Sequence, residues 1–197
     1  MDKNEIVVAT SNQGKLREYT LMLEPLGYKV ISLKDIDIAL DVEETGSTFE
    51  ENSLIKARYI AKKLPDKIVI ADDSGLEIHG LNGFPGIYSA RFMDGCSYFK
   101  KNLAIIEKMK DLKDRTANFT TVISLVNFDK EDHTFAGKAF GHIENKIEGT
   151  NGFGYDPIFF SDDLNKTFGN STNEEKSSIS HRGKALVKLV DYIKQTM

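Results

Sequence analysis

Residues 68–75 read Ile-Val-Ile-Ala-Asp-Asp-Ser-Gly, and this stretch constrains the possible folds more than any other part of the chain. The apolar run predicts a short buried strand, and the two carboxylates after it predict a polar strand end at the edge of a sheet. Because side chains alternate along a strand, we expect Asp72 and Asp73 on opposite faces, with only one of them pointing into a site. Together with the lysines and arginines of the glycine-rich loops elsewhere in the chain, the two acids suggest a metal ion and a phosphate, but the octapeptide alone favours an Asx turn that ends the strand.

The composition indicates a globular protein. Of the 197 residues, 40% are hydrophobic and 28% are charged, which predicts a single domain over residues 1–197. No apolar run is long enough to span a bilayer and no export signal is visible, so with one cysteine, Cys96, we expect a reducing cytoplasm and no membrane partner. The net charge of −4 disfavours nucleic acid as a partner. The four histidines lack the spacing of a zinc site.

The beginning of the chain has the pattern of a strand, a polar loop and a helix. Residues 5–10 predict a buried strand, and Ser-Asn-Gln-Gly-Lys follows at 11–15. Apolar residues at 16, 19, 23 and 26 then predict one face of a helix that ends near Pro25 and Gly27. This order points backbone N–H groups at a phosphate, although the loop lacks the second glycine of a Walker A motif. A plain turn with a solvated Lys15 explains the pattern equally well.

A second strand and a second helix follow. Residues 28–33 predict the strand, and residues 41–47 an acidic loop. Ser47 or Thr48 then begins a helix as its cap, and we interpret Glu50 and Glu51 as helix-start residues rather than ligands. The buried face of this helix is predicted to contain Leu54, Ala57, Ala61 and Leu64. Glu43 and Glu44 lie before the helix, where one of them can reach a metal.

The rest of the chain predicts a mixed α/β sheet. Residues 76–81 favour a short strand that runs back, and a helix is built on Phe99, Leu103, Ile106 and Met109. Residues 117–128, 133–140 and 141–147 then predict three antiparallel strands, and a helix closes the chain. Strand–helix units followed by a block of strands favour a mixed sheet with an antiparallel extension, flanked by helices.

Two further stretches are candidates for ligand binding. Glycines on both sides of Phe153 leave its ring open for a stacked purine, although a tight turn with Phe153 in the core explains the pattern slightly better. Lys176, His181 and Arg182 cluster where the last helix begins, and cations are unfavourable there unless an anion is near. A solvated basic patch explains that cluster at least as well.

Six segments recur together in the order and spacing of one known family. They are Ala-Thr-Ser-Asn-Gln-Gly-Lys (9–15), Glu-Glu-Thr-Gly-Ser-Thr-Phe-Glu-Glu-Asn (43–52), Ala-Asp-Asp-Ser-Gly-Leu (71–76), Gly-Ile-Tyr-Ser-Ala-Arg (86–91), Gly-Phe-Gly-Tyr-Asp-Pro-Ile-Phe (152–159) and Ser-His-Arg (180–182). No single segment is specific, but the set resembles the inosine triphosphate pyrophosphatase family, in particular its bacterial XTP/dITP diphosphatases. Two departures are that Ser11 replaces a common glycine and that residues 147–151 lack a frequent Pro-Arg-Gly.

The resemblance implies a function, a fold and a set of site residues. It implies an elongated mixed sheet in two lobes with a central substrate cleft, a cytoplasmic homodimer, and Mg²⁺-dependent hydrolysis of XTP, ITP and dITP to the monophosphate and pyrophosphate. By matching position, Asp73 is the catalytic proton acceptor, and Glu44 and Asp73 bind the metal. The substrate-binding residues that it implies are Thr10, Ser11, Asn12, Gln13, Gly14, Lys15, Ser74, Phe153, Gly154, Tyr155, Asp156, Lys176, His181 and Arg182.

Two other functions stay open at this point. A related phosphatase would remove only the terminal phosphate and release orthophosphate. A regulatory module would bind a nucleotide without turnover. The acidic pair at residues 72 and 73 argues against the module, because carboxylates that face a triphosphate repel it unless a metal lies between them.

Overall fold

A mixed eight-stranded sheet organises the protein, and the computed structural model describes residues 4–196. Numbered along the chain, the strands are β1 (Glu5–Val8), β2 (Lys29–Ser32), β3 (Ile68–Ile78), β4 (Phe84–Pro85), β5 (Thr116–Val126), β6 (His133–Ile143), β7 (Phe159–Ser161) and β8 (Lys166–Thr167). Their order in the sheet is β2-β1-β3-β5-β6-β7-β8, and β4 pairs with β3. β1 is parallel to β2 and β3, whereas β4 and β7 pair antiparallel with β3 and β6. The predicted mixed α/β fold is confirmed.

Five α-helices flank the sheet. They are α1 (Gln13–Leu23), α2 (Phe49–Lys63), α3 (Tyr98–Lys108), α4 (Asn173–Ile179) and α5 (His181–Thr196). The sequence explains the start of α2, because the Thr48 hydroxyl accepts a hydrogen bond from the Glu51 N–H and the Glu51 carboxylate accepts one from the Ser47 N–H. Over the described residues, no helix is both long and apolar enough to cross a membrane.

The chain divides into two compact units. Unit 1 runs up to Asp73, resumes over Thr121–Ala136 and continues from Ala185, and unit 2 consists of Ser74–Thr120 and Gly137–Lys184. The division therefore falls between the neighbouring residues Asp73 and Ser74, in the middle of β3.

Unit 1 buries both faces of its strands, which explains why β1 and the start of β3 are continuously apolar. On one face, the alternate strand residues Ile6, Val8, Ile68 and Ile70 pack against helix residues. These are Tyr19 of α1 and Leu186 and Leu189 of α5. On the other face, the intervening strand residues Val7, Val69 and Ala71 pack against Ala57 and Ile60 of α2. Unit 2 has a separate core in which α3 packs on Leu76, Ile78, Phe119, Phe159 and Phe168.

Two strand predictions are wrong, and each error has a physical reason. β3 does not end at Asp72 but continues without a turn to Ile78, so residues 76–81 do not form a separate returning strand. Two buried carboxylates can lie inside a strand because each is paired with a lysine. Residues 141–147 are likewise no separate strand, because β6 continues through Gly141 without a break. Glycine fits at this position since a Cβ atom there would collide with the carbonyl oxygen of Phe160 on the neighbouring strand.

Asp129 joins the β5–β6 connection to α5 and leads to a prediction about acid stability. Its carboxylate accepts hydrogen bonds from the Glu131 N–H (2.9 Å) and the Tyr192 hydroxyl (2.7 Å), and it lies 2.9 Å from His133 Nε2. These contacts lower the pKa of Asp129 from 3.8 to about 2. When folding lowers the pKa of a carboxyl group, the group stabilises the folded state at pH values above its pKa in the unfolded chain. This stabilisation is lost as the pH falls to its pKa in the folded protein.

We therefore expect Asp129→Asn to lower the free energy of unfolding near neutral pH and to lose this effect in acid. Urea unfolding of both proteins between neutral pH and about pH 2 measures the difference, which should shrink below about pH 4. A difference that does not change with pH would contradict the assignment.

Candidate active site

The polar loop between β1 and α1 is held together by its own side chains. Asn12 is the N-cap of α1, and its Oδ1 atom accepts hydrogen bonds from the N–H groups of Gly14 (2.8 Å) and Lys15 (3.2 Å). The Thr10 hydroxyl accepts one from the Asn12 N–H (3.1 Å). The N–H groups of Asn12, Gly14 and Lys15 are thus hydrogen-bonded within the loop. The side chains of Ser11 and Gln13 are exposed.

Five charged residues of unit 1 form what we call the carboxylate–lysine cluster: Lys15, Glu44, Lys56, Asp72 and Asp73. Lys15 Nζ lies 3.0 Å from Asp72 Oδ2. Lys56 Nζ lies 2.8 Å from Glu44 Oε1 and 3.2 Å from Asp73 Oδ1. The cluster thus contains three carboxylates and two lysines, an excess of one negative charge when all are ionised.

Asp72 and Asp73 have different partners, as the alternation of side chains predicts. Asp72 contacts Lys15 of α1 and accepts a hydrogen bond from the Thr121 hydroxyl (3.3 Å). Asp73 contacts Lys56 of α2 and accepts one from Asn52 Nδ2 (3.3 Å). Asp72 thus contacts α1 and Asp73 contacts α2, the two helices that pack on opposite faces of the sheet, yet the charge of Lys15 still acts on Asp73 and that of Asp72 on Lys56.

The pKa values of the cluster reflect its burial and its excess of carboxylates. Burial raises the pKa of Asp73, and the charge of Glu44 raises it further, against the opposing effects of Lys56 and Lys15. Burial by itself disfavours the ammonium form of Lys56, but Asp73, Glu44 and Asp72 outweigh it and raise the pKa of Lys56. Asp73 is therefore a stronger base than an ordinary aspartate, and Lys56 stays cationic at neutral pH.

The donor set of this cluster fits a magnesium ion. Glu44 and Asp73 both contact the single ammonium nitrogen of Lys56, so their carboxylates already converge on one cation. Within residues 4–196, no group of three or more His, Cys, Asp or Glu side chains is arranged to hold a metal. Mg²⁺ bound with a nucleotide typically uses one or two carboxylates, and the phosphates and water complete its shell.

Unit 2 contains a second cluster, which we call the aromatic–cation cluster: Phe153, Asp156, Lys176, Arg182 and Ser74. Lys176 Nζ lies 2.8 Å from Asp156 Oδ2 and 4.8 Å from the centre of the Phe153 ring. The Arg182 guanidinium lies 5.9 Å from the same ring and donates to the Ser74 hydroxyl at 3.0 Å. Arg182 is only 1% exposed, so the alternative of a solvated basic patch is wrong.

The loop around Phe153 has a shape that only glycine allows. Gly152 and Gly154 have φ angles of +73° and +69°, and a Cβ atom on Gly152 would collide with the Asp156 carboxylate. That carboxylate also accepts the Phe153 N–H at 2.8 Å. The Phe153 ring is half-buried, so it neither enters the core nor lies free on the surface.

Two predicted substrate residues of unit 2 have structural contacts. Tyr155 is 3% exposed, and its hydroxyl donates to the Ser89 carbonyl oxygen at 2.7 Å. Burial raises the pKa of Tyr155, so it stays neutral. The His181 ring stacks on Phe119 with a centroid distance of 4.8 Å.

Sequence reasoning missed two residues of the carboxylate–lysine cluster and its surroundings. Asn52 and Lys56 lie one turn apart on the buried face of α2, where both contact Asp73. They lie beside the predicted apolar face of Leu54, Ala57, Ala61 and Leu64, and no local pattern marks them as buried.

The comparisons with known proteins agree with this architecture. The fold is that of an α/β protein with an open mixed sheet. It buries charged side chains that the packing of a hydrophobic core does not require. The model of the Ham1 family matches residues 6–192. The chain belongs to the Ham1 family, and the resemblance seen in its motifs is confirmed.

Individual relatives cover nearly the whole chain. A protein of Bacillus licheniformis named dITP/XTP pyrophosphatase is 46% identical over 191 residues, which are 94% of this chain and 95% of that protein. The solved structure of the Staphylococcus aureus Ham1 protein has a TM-score of 0.87 and 43% identity, and the match covers 98% of this chain and 100% of that one. A nucleoside-triphosphatase, dITP/XTP pyrophosphatase, from Mycobacterium abscessus has a TM-score of 0.73 and 38% identity, with 94% of this chain and 98% of that chain covered.

Proposed function

We propose that this chain hydrolyses non-canonical purine nucleoside triphosphates (XTP, ITP and dITP) to the monophosphate and pyrophosphate, with Mg²⁺ as cofactor. The names of its relatives support the reaction and the substrate class. The observation that carries the proposal is the convergence of Glu44 and Asp73 on one cation close to Lys15 and Asp72.

The carboxylate–lysine cluster is assigned to the triphosphate. A triphosphate carries about four negative charges, and its hydrolysis needs positioning and charge neutralisation more than covalent help. Lys15 would neutralise phosphate oxygens, and Glu44 and Asp73 would hold the metal. When bound, Mg²⁺ polarises the phosphate and the attacking water. Asp73 would accept the proton of that water.

The aromatic–cation cluster is assigned to the base. Hypoxanthine and xanthine carry a carbonyl oxygen at position 6, where adenine carries an amino group. Lys176, His181 and Arg182 can donate to this carbonyl, whereas the amino group of adenine would place a donor against these donors. A site of this kind can discriminate between such bases by about 10⁴ to 10⁵. Asp156 keeps Lys176 in place and balances its charge.

A product assay tests this function. Purified protein with Mg²⁺ is incubated with ITP, XTP, dITP, ATP or GTP, and pyrophosphate and orthophosphate are measured separately. We expect pyrophosphate from the deaminated purines and little from ATP. Orthophosphate as the main product would favour the terminal phosphatase, and no product at all would favour the binding module.

We also propose that the protein is a cytoplasmic homodimer. Exposed large apolar side chains support an interface, since Tyr88, Met93, Tyr98, Phe99, Leu103 and Phe140 of unit 2 are each more than one third exposed. Phe99 and Leu103 lie one turn apart on α3, which places them side by side. Sedimentation equilibrium gives the mass in solution, and a monomer at all concentrations would contradict this proposal.

A further inference from the structure

Lys56 is a buried cation within the group of residues that we assign to the metal. Its side chain is 7% exposed, and its ammonium contacts Glu44 Oε1 at 2.8 Å and Asp73 Oδ1 at 3.2 Å. A buried ammonium requires charged or hydrogen-bonding partners, and these two carboxylates supply them. Each carboxylate likewise depends on Lys56, because the cluster has more carboxylates than lysines.

A metal held by Glu44 and Asp73 would share its carboxylates with the ammonium of Lys56. Two cations close together in a buried site repel each other. Metal binding would therefore weaken the contacts of Lys56 with these carboxylates. This step rests on the proposed function in one respect only, the assignment of Glu44 and Asp73 to the metal.

We propose that Lys56 is a resident counter-ion that holds the two metal-binding carboxylates until a nucleotide arrives. The lysine side chain is flexible and carries a compact charge, so its ammonium can move from the carboxylates to a phosphate oxygen. A triphosphate offers that new partner and also offsets the charge of the metal. Metal and nucleotide then bind cooperatively, and each raises the affinity of the other by the same factor.

Lys15 provides the matched control for this inference. It belongs to the same cluster and has the same charge, but its ammonium contacts Asp72, which is not assigned to the metal. If only the total charge of the cluster mattered, removal of either lysine would strengthen metal binding equally. If Lys56 occupies the metal-binding oxygens, its removal has the larger effect.

The test is metal binding without nucleotide. Mn²⁺ replaces Mg²⁺ as a paramagnetic probe, and its affinity for wild type, Lys56→Met and Lys15→Met is measured by electron paramagnetic resonance. We expect Lys56→Met to bind Mn²⁺ about tenfold tighter than wild type or more, which is a usual size for coupling between two sites. We expect Lys15→Met to stay within about threefold of wild type, because it leaves the contacts of Lys56 in place.

Thermal unfolding gives a second readout. Lys56→Met should unfold at a lower temperature than wild type without metal, and Mg²⁺ should raise its midpoint more than that of wild type. Equal Mn²⁺ affinities of wild type and Lys56→Met would overturn the inference, as would an equal gain in Lys15→Met. If Lys56→Met does not fold, Lys56→Gln replaces it. Tight binding of Mn²⁺ by wild type without nucleotide would overturn the inference without any variant.

These outcomes are separate from a failure of the proposed function. A protein that releases orthophosphate, or no product, would contradict the proposed reaction and leave the measured Mn²⁺ affinities unchanged. A protein that releases pyrophosphate but shows no gain in Lys56→Met would retain its function and lose the role of Lys56.

Discussion

Asp73→Asn is expected to lower kcat by about 10²- to 10⁴-fold, the range that a positioned acid or base usually contributes. The substitution removes the proposed proton acceptor and one of the two proposed metal ligands while it keeps the size of the side chain. An asparagine keeps one acceptor oxygen for Lys56 and loses the one that accepts from Asn52, but its shape is the same, so the local structure of β3 should persist. Steady-state kinetics of pyrophosphate release from ITP measures the loss.

A matched control separates chemistry from charge. Asp132 pairs with Arg58 of α2 on the exposed side of that helix, so Asp132→Asn removes a carboxylate next to the same helix without touching the cluster. It should leave kcat close to wild type. A kcat of Asp73→Asn within tenfold of wild type would remove Asp73 from both of its proposed roles.

Asp156→Asn is expected to destabilise the fold by about 3–5 kcal/mol, the usual cost when one partner of a buried ion pair is removed. Lys176 and Asp156 have side chains that are 4% and 3% exposed, and the same carboxylate oxygen binds the Phe153 N–H. The variant leaves the Lys176 ammonium in a buried site without its counter-charge. Urea unfolding monitored by circular dichroism measures the change in the free energy of unfolding.

An exposed pair of the same type serves as the comparison. Lys184 and Asp163 are also 2.8 Å apart, but their side chains are 38% and 46% exposed. Asp163→Asn should cost no more than about 1 kcal/mol, because solvent already screens this pair. The double variant Lys176→Met with Asp156→Asn should recover part of the loss, since no buried charge remains. Equal effects of Asp156→Asn and Asp163→Asn would show that the burial of the first pair carries no energetic consequence.

The periodicity of the apolar residues was enough to predict the fold class and most elements near the chain start. A strand at β1 and a helix at α2 were predicted because their patterns are local: a continuous apolar run, and a cap followed by an apolar face. The details differ, since β1 ends at Val8 rather than at residue 10, and Leu54 and Leu64 are only partly buried. The prediction failed at residues 72–75, where Asp-Asp-Ser-Gly has the composition of a turn. The lysines that let this segment remain a strand lie 57 and 17 residues away from Asp72 and Asp73, respectively, so no local rule finds them.

The residues of the candidate site also fall into those that the sequence predicts and those that it does not. Its carboxylates, its glycine-rich loops and its terminal cations were visible as unusual residue types in the sequence, and the six motifs together indicated one family. Lys56 was not visible, because a lysine on a helix is by default a solvated residue. The contacts of Asp156 were not visible either, since its carboxylate binds Lys176 and the Phe153 N–H, which only the tertiary structure brings together.

The sequence by itself therefore determined the α/β class, the family and several candidate site residues, because these depend on residue type and local spacing. Only the tertiary structure decided which charges meet. Ion pairs between Lys15 and Asp72, and among Glu44, Lys56 and Asp73, join residues of α1, a loop, α2 and β3 that come close only when the sheet and its helices pack. Coulomb interactions depend on distance and burial rather than on separation along the chain, and packing sets both.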